Sequence, residues 1–267
     1  MTGYSENFLE SMNAVQVHSK VNEETVALIV FGACENHGDH MPFGSDFIFP
    51  IEVAKRIANK VDNLIVLPAI PYGVSTHHKG FQMTVSLQFE TAVNIMLDIF
   101  SSLIANNIKR ILIVNGHDGN IGPIESAARS VKNLHKDVII CCLESWWTLI
   151  GQLENGLFDV WKGLGHGGEA ETSGMLAVHP ELVNMDFAPG EVIPNLPSNV
   201  RIYWNFDELT RTGATGSPRH ATAEKGRKLL ETIDKVLISF LQEMELNHWN
   251  YGIRKDAKDD NGQADWR

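Results

Sequence analysis

The sequence predicts an α/β fold, a single domain around a mainly parallel sheet, and three observations carry that prediction. From Glu24 on, short runs rich in Val, Ile and Leu alternate with longer stretches whose apolar residues recur every three or four positions, the pattern of strand-helix-strand units. The short runs show little polar alternation, as strands covered on both faces do. Polar groups capable of chemistry stand where three of these runs end, and open α/β sheets bind ligands just beyond the carboxyl ends of their strands.

In chain order, strands are predicted at Val26–Phe31, Leu64–Leu67, Arg110–Val114 and Val138–Cys142. Amphipathic helices are predicted at Phe47–Lys60, Phe89–Asn107, Asn120–Leu134 and Ala221–Leu246, with a shorter apolar helix at Gly174–Val178. Residues 181–219 carry Pro189-Gly190, Pro194, Pro197, Gly213, Gly216 and Pro218, and are read as a long excursion near the site. Residues 1–23 are an N-terminal extension, 24–246 the domain, and 247–267 a polar tail that is frayed or used in subunit contacts.

A chain of 267 residues, 43% hydrophobic, is long enough to bury a full core. Its 22 basic and 33 acidic residues give a net charge of -11, with no basic cluster around aromatics, which argues against nucleic acid or an anionic membrane as partner. Three cysteines, Cys34 and the adjacent Cys141 and Cys142, make no disulfide framework and fit a reducing cytoplasm. No apolar run approaches the roughly 20 residues needed to cross a bilayer, and the N-terminus lacks a signal pattern.

The first strand runs into Glu35, His37 and, nine residues further, Asp46. An extended Glu-x-His turns both side chains the same way, which makes a plausible divalent-metal set. Asp39 and His40 read better as surface or supporting groups. The third strand ends in Asn115-Gly116-His117-Asp118-Gly119-Asn120, where glycines permit tight turns and Asn120 can cap a helix. His166 stands among glycines just before Glu169 and Glu171. His166 has the surroundings of a base, and either glutamate could complete a metal shell, orient the imidazole or simply be an acidic first helical turn. His77 and His78, after the second strand, are possible substrate contacts.

Four blocks, GACENHGDHMPFGSD, PYGVSTHHKGF, NGHDGN and HGGEAETSGML, occur in order and together resemble the creatininase (creatinine amidohydrolase) family over about residues 24–245. The resemblance implies a three-layer αβα fold, a homo-oligomer with a hexamer as its precedent, and two divalent metal ions per subunit, Zn, Mn or Fe(II). It assigns Glu35 and His117 to one ion, His37 to the other, Asp46 between them, and His166 as catalytic histidine. The family's usual second-ion glutamate is Gly119 here, so Glu169 is the expected replacement and Glu171 the fallback. The family's FPGT reads Phe81-Gln82-Met83-Thr84. His78, Asp118 and Trp147 are the expected substrate contacts, and Lys79, Arg201, Arg211 and Arg219 the basic groups available for a phosphate.

The implied activity is hydrolysis of a C–N bond in a small cyclic amide or formamide, with water activated on the ions as the nucleophile and His166 carrying a proton to the leaving nitrogen. Neighbouring branches act on a precursor peptide or an oxidised inositol. A non-catalytic metal- or ligand-binding protein on this fold would predict a broken ligand set, and only Gly119 departs. A Rossmann-type nucleotide binder would need a glycine-rich turn where Gly-Ala-Cys-Glu-Asn-His stands.

Overall fold

The computed structural model describes residues 6–197 and 199–251. Its strands are β1 (Val26–Phe31), β2 (Leu64–Val66), β3 (Arg110–Asn115) and β4 (Ile139–Leu143). The helices are α1 (Ala14–Lys20), α2 (Ser45–Ala58), α3 (Phe89–Ala105), α4 (Ile121–Leu134), α5 (Trp146–Leu153), α6 (Glu169–Val178), α7 (Phe206–Leu209) and α8 (Ala223–Leu246). Among the described residues the strands form one four-stranded sheet in the order β2-β1-β3-β4, every pairing parallel.

The three layers follow from the alternation within β1. Val26, Leu28 and Val30 face one cluster with residues of α2, α5, α6 and α8, whereas Ala27, Ile29 and Phe31 face another with residues of α3 and α4. All six residues of β1 are buried, which is why the run shows no polar alternation. Burying each such Leu, Ile or Phe contributes about 1.5–3 kcal/mol. Truncating Phe100, fully buried under the sheet, to alanine would cost about 3–5 kcal/mol.

Two segments were not anticipated. The N-terminal stretch folds onto the domain: Asn13 caps α1, and Phe8, only 5% exposed, bridges alongside Val66 at the β2 edge. The stretch after β4 turns helical at once as α5, so Trp146 and Trp147 open a helix rather than close a strand. The excursion at 181–219 holds short 3-10 turns and the four-residue α7. The polar tail, from residue 252 on, lies outside the described residues. No helix among the described residues is long and apolar enough to cross a membrane.

Candidate metal centre

Beyond Phe31 the chain stays extended long enough to send Glu35 and His37 into the same crevice, and both are fully buried. Asp46 arrives from the first turn of α2, where the helix N-terminus favours an acid. Gly116 permits that approach: a Cβ there would lie 1.8 Å from the Asp46 backbone oxygen, so only glycine lets α2 start so close to the end of β3. His117 follows immediately.

Backbone carbonyls then set which nitrogen of each imidazole faces the crevice. A carbonyl oxygen only accepts, so His37 Nδ1 donates to Glu35 O at 3.1 Å and turns Nε2 toward Asp46 Oδ1 at 2.8 Å. His117 Nε2 donates to Val74 O at 3.0 Å and turns Nδ1 toward Glu35 Oε1 at 3.2 Å and Asp46 Oδ2 at 3.1 Å. Asp46 thus offers one oxygen to each ring. Glu35, fully buried, has neither carboxylate oxygen in a well-formed hydrogen bond, and Asp46 Oδ2 is likewise unsatisfied. Buried carboxylate oxygens left in this state want a cation.

The ionisation of these groups says the same. Burial works against charge on His37, but the Asp46 carboxylate, with Glu171 and Glu35, lifts its pKa to about 10. His117 is raised well above the usual imidazole range, burial again outweighed by Glu35 and Asp46. Burial pushes Glu171 up to about 7 against the pull of His37. Protons on the inward nitrogens neutralise the carboxylates in the free protein, and divalent ions can take their place.

Three groups of side chains bring ligand atoms within 4.8 Å of one another: Glu35, Asp46 and His117; His37, Asp46 and Glu171; and Glu35, His37 and His166. The glutamate that joins His37 and Asp46 is Glu171, whose Oε2 lies 3.9 Å from His37 Nε2. Glu169, the expected replacement ligand, turns the other way, accepting from the backbone N–H groups of Asp159 and Val160 and from Lys225 Nζ. Gly119 has no room for a ligand at all, because a Cβ there would sit 2.0 Å from Val74 O, the oxygen that holds His117.

His166 is anchored at both ends. Its N–H donates to Thr215 Oγ1 at 2.9 Å and its Nε2 to Asn36 O at 2.6 Å. Burial, helped by the charged His37 ring 4.2 Å away, lowers its pKa to about 4. His78 is buried, 3.4 Å from Glu35 Oε1, and stacks on Phe206. His40 Nε2 donates to Thr172 Oγ1, whose own hydrogen goes to Gly167 O, and His40 joins none of those three groups of side chains. The Phe81–Thr84 turn places Met83 at φ 65°, a left-handed conformation that suits glycine, the residue usual there in FPGT.

The crevice opens into a cavity of about 990 Å³, lined by His78, Asp118, Trp147 and His166 together with Trp161, Trp204 and Phe206. Of the basic residues considered for a phosphate, Arg201 lines this cavity, while Arg219 is engaged with Ala188 O. No spacing rule marks Trp161, Trp204 and Phe206. The usable signal is the aromatic run Tyr203-Trp204-Asn205-Phe206 inside a segment otherwise rich in Pro and Gly.

Comparison with known proteins places the chain in a family and a fold. The family model for creatininase, described as creatinine amidohydrolase, matches residues 10–241. Creatinine amidohydrolase of Pseudomonas putida is 31% identical over 227 residues, 78% of this chain and 85% of the relative. The mycofactocin precursor peptide peptidase of Mycobacterium ulcerans (strain Agy99) is 29% identical over 220 residues, 78% of this chain and 81% of the relative. The solved structure named "Creatininase Mn" superposes with a TM-score of 0.77 at 26% identity, covering 90% of this chain and 98% of the other.

Proposed function

The chain belongs to the creatininase family, a family of hydrolases, and on that footing we propose that it is a metal-dependent amidohydrolase that cuts a C–N bond in a small cyclic amide or formamide. Asp46 carries this reading: its two oxygens face two imidazoles whose inward nitrogens are chosen by backbone carbonyls. Glu35, Asp46 and His117 would hold one divalent ion, and His37, Asp46 and Glu171 the other. Mixed nitrogen and oxygen donors suit Zn, Mn or Fe(II). Ions held there polarise an amide carbonyl and make water acidic near neutral pH.

The remaining work belongs to the protein. His166, neutral and with Nε2 committed to the Asn36 carbonyl, has Nδ1 left to take a proton from the attacking water and pass it to the leaving nitrogen. Trp147, Trp161 and Phe206 wall the cavity and offer apolar surface for the substrate to pack against. Asp118, exposed on the same wall, is placed to bind a polar group of the substrate. A second reading, cleavage of an amide within a peptide, is favoured by the cavity's volume of about 990 Å³, at the top of the range for small-molecule pockets.

Ile202 and Tyr203, exposed beside the cavity mouth, support assembly with further copies of the chain, which light scattering would read directly.

Elemental analysis of the purified protein, with hydrolysis assayed on creatinine, formanilide and a short peptide amide, tests the reading. Bound divalent metal and turnover of one panel member, abolished by chelation and restored by Zn, Mn or Fe(II), is the expected result. Protein that binds none of these ions, or stays inert when loaded with them, would sink it.

A further inference from the structure

We propose that Glu169 is a positioning residue: paired with Lys225, it fastens the 158–165 loop that forms one wall of the cavity. Only the substrate side of this statement rests on the hydrolase reading.

Glu169 is fully buried, yet it faces away from the metal-ligating cluster. Its carboxylate accepts from Asp159 N at 3.0 and 3.1 Å and from Val160 N at 3.1 Å, two consecutive backbone donors at the head of the loop. Lys225 Nζ meets Glu169 Oε1 at 2.5 Å and Asp159 Oδ2 at 2.5 Å, and donates to His220 O at 2.9 Å. One ammonium therefore ties the loop, the start of α6 and the start of α8 together.

Lys225 lies in the first turn of α8, behind the Thr222 cap, where the helix dipole disfavours a cation. Its place there makes sense through the two carboxylates, which outweigh its partial burial and raise its pKa. The loop itself needs holding. Trp161 and Lys162 sit at φ 49° and 55°, a left-handed region that non-glycine residues occupy when their surroundings constrain them. Trp161, Leu164 and Gly165 of this loop line the cavity.

His166 has its own anchors in Thr215 and Asn36, so loosening the loop should disturb substrate binding more than the proton transfer. The experiment compares wild type, Glu169→Gln, Lys225→Met and the double variant in three measurements. These are metal content, KM and kcat on whichever panel amide the wild type hydrolyses, and the rate of trypsin cleavage after Lys162, which is exposed on the loop.

Expected are unchanged metal content, KM raised about tenfold with kcat within about threefold, and cleavage after Lys162 faster by about tenfold while other sites keep their rates. The double variant should be no worse than either single one. Loss of about one ion per chain in Glu169→Gln would overturn the proposal in favour of a ligand role. Unchanged KM and cleavage would overturn it outright. Should Glu169→Gln fail to fold, Lys225→Met carries the same three readouts. A wild type inert on every panel member would count against the hydrolase reading, while the cleavage and metal measurements still decide the fastening.

Discussion

Asp46 Oδ2 stands 3.1 Å from His117 Nδ1, the ring nitrogen that the bond from Nε2 to the Val74 carbonyl leaves facing the crevice. The other Asp46 oxygen meets His37 at 2.8 Å, so a single carboxylate belongs to both halves of the centre. Asp46→Ala should therefore lower metal content from about two ions per chain to fewer than about one, and remove activity, where loss of an outer residue would cost only about 10–100-fold in affinity. Elemental analysis after gel filtration checks it.

Glu171 touches one half only, the side of His37. Glu171→Gln is expected to cost about one ion per chain and at least about 100-fold in kcat, with the ion on the Glu35 and His117 side retained. Titrating metal back into the chelated variant would show one binding step in place of two.

His166 lies beside Glu35 and the His37 ring but is held by Asn36 and Thr215. His166→Gln should keep full metal content and lose about 10²–10⁴-fold in kcat, the usual contribution of a positioned acid-base group. Equal metal loss and activity loss would instead make it a ligand.

The pKa of His37, about 10 in the folded protein, exceeds its unfolded value near 6.5. A raised basic group binds its proton more tightly when folded, so its stabilisation is complete below about 6.5 and is lost as pH climbs toward 10. His117 shifts in the same direction. The chelated protein should accordingly lose stability between about pH 7 and 10, measured by its denaturant midpoint, whereas metal affinity should rise over that window because binding displaces these protons.

Gly119 is confined by Val74 O, 2.0 Å from where a Cβ would lie. Gly119→Ala should cost about 1–3 kcal/mol of stability and, by pushing that carbonyl off His117 Nε2, about 10–100-fold in metal affinity. Gly119→Glu should not add an ion. Chemical denaturation and metal titration read the two effects separately.

Much of the fold was legible because hydrophobic period is a local property of the chain. All four strands lie within one or two residues of where their apolar runs predict them, and the long helices do too. α5 was hard to read because only Glu144 and Ser145 separate the apolar run of β4 from Trp146, Trp147, Leu149 and Ile150, and Ser145, though it stands at the N-cap, makes no side-chain cap bond. The docking of Phe8 beside Val66 was hidden for another reason: a single buried aromatic in a polar segment has no periodicity.

The family, the three-layer fold and the segments that carry Glu35, His37, Asp46, His117 and His166 were legible in the chain alone: Glu35, His37 and His117 follow strand ends, Asp46 opens α2 and His166 stands just before α6. Folding alone separates the surroundings of Glu169 from those of Glu171. Two residues apart on a helix, they point about 200° apart around its axis, and nothing in the chain says which face meets the crevice. Packing of α6 against α8 supplied the answer, giving Glu169 to Lys225 and Glu171 to the cluster. It likewise decided that position 119 must be glycine, because the carbonyl that crowds it comes from Val74, distant in sequence and brought close only by folding.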